Sequence, residues 1–313
     1  MEEKVMSFLY FLEGLRNPFL DFLFSLITLC GDETVFMAVG MIVFWCVNKY
    51  HGYYLLCVGF FGTVLNQFLK IICRIPRPWV KDPSFTIVES AREAASGYSF
   101  PSGHTQTSVG LFGGICKITK KLPLRIAMIA LAVLVPLSRM YLGVHTPQDV
   151  LVSVAIALAL IFLMHPLFKD AEHHSGRMYA ILLSFVVLIG AYLLFVSVYP
   201  FPADVDPDNL YAARKNGYTL FGCVIGMVVA YAIDQKWLHF ETHGVWWAQI
   251  LKAAGGILAV LATKELLKFP LELLFGEHLF ARSIRYFAVV MVAAVLWPMT
   301  FRFFSRLGNK KRK

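Results

Sequence analysis

The sequence predicts an all-α protein, a polytopic bundle of transmembrane helices. Three observations predict it. Hydrophobic residues fill 58% of the 313 positions. Charged residues reach only 16%, against about 25% in an ordinary soluble domain. The apolar residues fall in runs close to the roughly 20 that a membrane-crossing helix needs. This balance excludes a disordered chain and argues against a soluble globular one. The net charge of +9 is scattered between the apolar runs. Orientation in a bilayer explains it better than nucleic-acid binding, so no nucleic-acid partner is expected. Cys30, Cys46, Cys57, Cys73, Cys116 and Cys223 lie in or beside apolar runs without a CxxC pair. Buried thiols are expected there, and no metal site.

Taken in order, residues 1–32 form the first segment. No cleavable leader is expected, because Glu2 and Glu3 are acidic and no small-residue cleavage site follows. The apolar stretch 18–30 is too short to cross alone and reads as interfacial or re-entrant. Residues 33–200 form a core of six expected spans, 33–48, 52–73, 103–118, 124–141, 147–167 and 178–199. Residues 201–313 form an extension of about three more, 217–234, 245–266 and 283–304, ending in a basic tail.

The turn with Lys117, Lys120, Lys121 and Arg125 and the tail with Arg306, Lys310, Lys311, Arg312 and Lys313 are expected on the cytoplasmic side. The amino-terminal segment then faces outside. The tail reads as an anchor on anionic lipid; in a eukaryote its terminal KKxx would read as endoplasmic reticulum retrieval. A bacterial plasma membrane, with the functional surface outside, is the favoured location. Gly222-x3-Gly226 and Gly255-Gly256 predict close helix packing, with a homodimer face as the alternative. Lys252 and Asp234 sit in spans, where pairing, cavity lining and snorkelling are the open readings.

Three clusters are expected at one membrane surface. They are Lys70-x6-Arg77-Pro78, Pro101-Ser102-Gly103-His104, and Ser138-Arg139-x5-His145-x3-Asp149. Ionisable groups at membrane depth are expensive, and function is their default explanation. Lys70, Arg77 and Arg139 suit the oxygens of a phosphate. Ser102-Gly103 opens a helix whose free N–H groups attract an anion, and Gly103 permits close approach. A neutral imidazole can attack phosphorus. Asp149, one turn after His145, can reach back to fix its tautomer. His104 could protonate a leaving oxygen and then activate water.

Each residue also has a plainer reading. Asp149 fits a helix-start acid after Thr146-Pro147, Ser102 an N-cap, and Lys70 a snorkelling cation. The connection 79–102 exceeds the usual length and carries Trp79, Phe85, Tyr98 and Phe100. It reads as a lid, or as a headgroup-level belt.

These motifs, as KIICRIPRP, PSGH and SRMYLGVHTPQD, resemble the type 2 phosphatidic acid phosphatase superfamily, integral membrane lipid phosphatases whose pattern is KxxxxxxRP, PSGH and SRxxxxxHxxxD. The resemblance covers residues 70–149 directly. It implies a phosphatase with His145 as nucleophile, Asp149 as its orienting partner and His104 as acid/base. It implies phosphate contacts from Lys70, Arg77, Ser102, Gly103, His104 and Arg139, with no metal and no cofactor. The nine-span layout is similar to the glucose-6-phosphatase and sphingosine-phosphate phosphatase branches by topology rather than by a motif. A lipid phosphate is the expected substrate, with membrane lipids as the other partners. A water-soluble sugar phosphate, a lipid phosphotransferase and a transporter or phosphate-binding protein are the alternatives.

Overall fold

Runs of apolar residues fold into helices because each backbone donor and acceptor must be satisfied within the segment when no water is present. The computed structural model describes residues 2–169 and 171–307, and they contain helices and turns but no strand. Lys310, Lys311, Arg312 and Lys313, read above as an anchor, lie outside the described residues.

The helices are α1 (Glu2–Gly14), α2 (Pro18–Leu29), α3 (Glu33–Cys46) and α4 (Lys49–Cys73). Helix α5 covers residues 103–118 in three pieces, Gly103–Ser108, the π turn Val109–Gly113 and Gly114–Ile118. Then come α6 (Leu122–Tyr141), α7 (Pro147–Phe168), α8 (Ser175–Val198) and α9 (Pro207–Ile233). Helices α10 (Trp246–Leu266), α11 (Lys268–Phe275), α12 (Phe280–Met291) and α13 (Phe301–Arg306) follow; a one-turn helix Pro78–Lys81 and the π turns Asp234–Leu238 and Val292–Leu296 carry no label.

Among the described residues, six helical stretches are long and apolar enough to cross a membrane: Lys49–Lys81, Leu122–Tyr141, Pro147–Phe168, Ser175–Val198, Pro207–Leu238 and Phe280–Arg306. A seventh is the pair α2 and α3, if its 47° bend lies within one span. Nine spans were expected, and the difference is mostly length. Helix α3 has 14 residues, roughly 21 Å at 1.5 Å per residue, short of a hydrocarbon core of about 30 Å. It qualifies only together with α2, so the stretch 18–30 is half of a bent pair. Helix α5 is short for the same reason. Helix α10 has 21 residues but is not among the six; Gln249 and Lys252 stand in its first half.

The chain divides into two units. One holds residues 1–37, 55–166 and 201–210. In it Asn17 caps α2, accepting from Leu20 N at 3.0 Å ahead of Pro18. Phe24 of α2 stacks on Tyr141 of α6 with ring centres 4.3 Å apart, and Tyr141 Oη donates to Asp21 at 2.8 Å. Leu9 of α1 is buried with Phe85, Ile87, Met140 and Val150. The connection 79–102 is therefore fastened to α1, where Tyr10 Oη also donates to Asp82 at 2.8 Å. Gly143 turns the chain from α6 to α7 at φ 82°, and a Cβ there would sit 2.6 Å from Arg16 Nη2. No other residue fits that turn well.

The second unit holds residues 38–54, 167–200 and 211–313. Its glycines serve close packing, as expected. A Cβ on Gly222 would lie 2.1 Å from Ser283 O, and one on Gly256 2.6 Å from both Trp45 and Trp297. Asp234 pairs with Lys49, at 2.6 Å, rather than with Lys252. Lys252 does not snorkel: it is fully buried, donates to Thr242 O at 2.9 Å and lies over the Phe301 ring. Of the six cysteines expected to be buried, only Cys57 and Cys223 are; Cys30, Cys46 and Cys116 are half-buried and Cys73 is exposed.

Candidate active site

The three clusters meet in the first unit. The turn before α7 and the first turn of α7 bring His145 Nδ1 to 3.3 Å from Asp149 Oδ2. Both side chains are nearly inaccessible. Asp149 Oδ2 also accepts from Thr146 N at 2.8 Å and from Ser99 Oγ at 2.5 Å. The carboxylate therefore caps the helix and faces the imidazole at once. The two readings weighed from the sequence both hold in geometry. Burial pushes the His145 imidazole well below its ordinary pKa of 6.5, and the charges of Arg77, Arg139 and Lys70 push the same way.

Arg77 is buried and multiply engaged. Its Nε donates to Gly97 O and its Nη2 to Ser96 O, each at 2.9 Å. Its Nη1 lies 2.9 Å from both Val144 O and His145 Nε2. Lys70 Nζ donates to Tyr98 O at 2.5 Å. The two cations therefore hold the carbonyls of 96–98, a role that their expected contact with an anion did not include. Ser102 is buried, and its Oγ accepts from Thr105 N at 3.4 Å, the N-cap reading. Its carbonyl accepts from Ser153 Oγ at 2.9 Å. A Cβ on Gly103 would meet no atom within 4 Å, so the space at this helix start is open.

Arg139 differs from Arg77. It is fully buried, its Nη1 donates to Thr28 Oγ1 at 2.8 Å, and its Nε and Nη2 have no hydrogen-bond partner among the described residues. A buried donor left unpaired costs about 1–3 kcal/mol, more when charged. An anion with several acceptor oxygens is the natural complement.

His104 sits at the start of α5, with Nε2 2.8 Å from Asp32 Oδ1. Asp32 lies in the bend between α2 and α3. Sequence reasoning missed Asp32, Thr28 and Ser99. The signal for Asp32 was present, because Gly31-Asp32-Glu33 interrupts an apolar run, and an intramembrane carboxylate calls for a partner. Thr28 and Ser99 carry no such signal.

Comparison with known proteins agrees with the motif reading. The PAP2 superfamily profile matches residues 50–172. A second profile, the PAP2 superfamily phosphatase transmembrane extension, matches residues 218–311. The chain is 25% identical to human sphingosine-1-phosphate phosphatase 2 over 206 residues, 63% of this chain and 51% of that protein. It is 28% identical to undecaprenyl-diphosphatase BcrC of Bacillus subtilis over 116 residues, 37% of this chain and 57% of that one. It is 31% identical to phosphatidylglycerophosphatase B of the same bacterium over 165 residues, 48% of this chain and 76% of that one. The chain thus spans about half the length of the human relative. No solved structure matches it. With its three motifs gathered around His145, three quarters of phosphatidylglycerophosphatase B matched and the transmembrane extension present, this integral membrane chain belongs to the PAP2 superfamily.

Proposed function

We propose that the chain is a phosphatase that hydrolyses a lipid phosphate monoester or diphosphate at the membrane surface through a phosphohistidine intermediate. The observation that carries this reading is Arg139, a buried guanidinium with two unpartnered nitrogens in the same unit as a buried His–Asp pair. The names of the relatives, which include a sphingosine-1-phosphate phosphatase, a phosphatidylglycerophosphatase and an undecaprenyl-diphosphatase, support a lipid phosphate as substrate.

The substrate phosphate takes the place of Arg77 at His145 Nε2 and accepts from Arg139, Arg77, Lys70 and the backbone at Ser102-Gly103. His145 Nε2 attacks phosphorus while the bond to the leaving oxygen breaks. His104 gives that oxygen its proton. Asp149 holds the His145 ring through Nδ1 and stabilises the charge that forms on it. His104, now a base, takes a proton from water. The water oxygen attacks phosphorus, the P–N bond breaks, and phosphate leaves with His145 neutral again. Asp32 accepts Nε2–H of His104, so it sets the ring and steadies the imidazolium form. The guanidinium groups stabilise charge on the transferring oxygens. Side-chain cations fill the role in this reading that metal ions fill elsewhere, and chelators leave turnover unchanged. The favoured site is the outer face of a bacterial plasma membrane.

The test is phosphate release by purified protein in detergent without added metal. The panel is phosphatidic acid, sphingosine phosphate, undecaprenyl diphosphate and glucose 6-phosphate, each beside His145→Ala. Release from a lipid by the unaltered protein alone supports the reading. Release from glucose 6-phosphate alone, or equal release by His145→Ala, overturns it.

A further inference from the structure

The second unit contains a cavity of about 470 Å³ made of none of the residues around His145. Tyr211, Lys268, Glu272, His278, Arg282 and Arg285 are among its lining residues. Its lining comes from α11, α12 and the turn between them, with Tyr211 of α9. We infer that this cavity holds the phosphate of an acidic lipid headgroup, a binding site separate in its residues from the proposed reaction site.

Three features carry the inference. The first is Arg285, only 8% exposed, whose Nε has no hydrogen-bond partner among the described residues. Nearby Arg282 is engaged through Nε, which donates to Thr219 Oγ1 at 3.2 Å. A phosphate accepts from such guanidinium nitrogens where few neutral groups can. The second is charge. Lys268, Arg282 and Arg285 stand against the carboxylates of Glu272 and Glu277 in the lining, so the cavity favours an anion. The third concerns the source of that anion. Leu266, Phe269, Leu273 and Leu274, on and beside α11, are exposed by 73–76%. Such an apolar surface at the end of a span belongs among acyl chains just below the headgroups. A phosphate reaching the cavity beside it arrives attached to lipid. Beside the cavity α12 is fastened to α9: Ser283 Oγ donates to Tyr218 O at 2.6 Å, and Gly222 lets the Ser283 backbone approach α9 closely. The volume falls in the usual range for a small-molecule pocket.

The test is calorimetric titration of the full chain in detergent with short-chain phosphatidylglycerol. The Arg139→Ala background weakens binding at the reaction site. Saturable binding is expected, weakened about tenfold or more by adding either Arg285→Gln or Arg282→Gln. An unchanged Tm shows that each variant folds. Arg282→Gln serves as the second reading where Arg285→Gln lowers the Tm, because the Arg285 side chain is the more buried. Short-chain phosphatidylcholine is expected to bind far more weakly. Affinity unchanged in both glutamine variants, or equal affinity for phosphatidylcholine, overturns the site. Inorganic phosphate displacing phosphatidylglycerol at equal concentration overturns the lipid source and assigns the cavity to free phosphate.

Discussion

The two histidine–aspartate pairs around the proposed reaction centre are assembled in opposite ways. His145 and Asp149 are one helical turn apart, 3.3 Å in space, and each side chain is 2% exposed. His104 and Asp32 come from positions 72 apart and meet at 2.8 Å, with side chains 16% and 38% exposed. The first pair is sheltered, which favours the neutral imidazole and leaves its lone pair available for the proposed attack. The second is partly exposed, more at Asp32 than at His104, which suits the proton exchange with water proposed for it. Shelter suits the nucleophile proposed at His145 and partial access suits the acid/base proposed at His104, so position separates two pairs of the same residue types.

The comparison can be broken most directly at the sheltered pair. His145→Ala should lower turnover by at least about 10³-fold while inorganic phosphate still inhibits, since the cations remain. Substantial phosphate release by the purified variant would remove His145 from the reaction. Asp149→Asn should cost about 10³-fold in kcat, because the amide can present its NH2 to the ring and fix the wrong tautomer. Asp32→Asn at the open pair should cost less, about 10- to 100-fold in kcat with KM nearly unchanged, because water can still solvate His104. Equal losses in the two asparagine variants would mean that exposure does not separate the pairs.

The pH profile offers the smallest and sharpest effect. The pKa of His145 is lowered, so its neutral form persists as pH falls through 6.5. The limb of kcat/KM set by this group should therefore lie below pH 6.5, with rate lost only on further acidification. Arg77→Met removes one of the charges that lower that pKa and should move the limb upward. A limb at or above 6.5 in the unaltered protein would contradict the sheltered environment.

Arg77 and Arg139 make a second, related contrast. Both were expected to clasp phosphate. Arg77 spends its donors on Ser96, Gly97 and Val144 carbonyls and on His145, whereas Arg139 retains two unpartnered nitrogens. The spacing Lys70-x6-Arg77 places a cation at the end of a helix but says nothing of which carbonyls return to meet it. The same limit explains Ser99, whose hydroxyl reaches Asp149 only because the 79–102 connection folds back.

Apolar composition sets a similar limit on segment lengths. Apolar composition alone marked 33–48 and 103–118 as crossings, yet α3 is bent away from α2 by 47° and α5 contains a π turn. Composition records how apolar a run is, and not where its helix breaks.

What the sequence determined by itself is local or summed. An apolar balance fixes an all-helical membrane chain, because no other open backbone arrangement satisfies its hydrogen bonds in lipid. The i, i+4 spacing of His145 and Asp149 makes their pairing available to one turn of chain, whatever the rest does. What only the tertiary structure decided is which distant side chains meet. Asp32 reaches His104, Thr28 reaches Arg139 and Lys49 reaches Asp234. Each contact depends on a bend or a packing distance spread over many residues, and no spacing within a single helix encodes it.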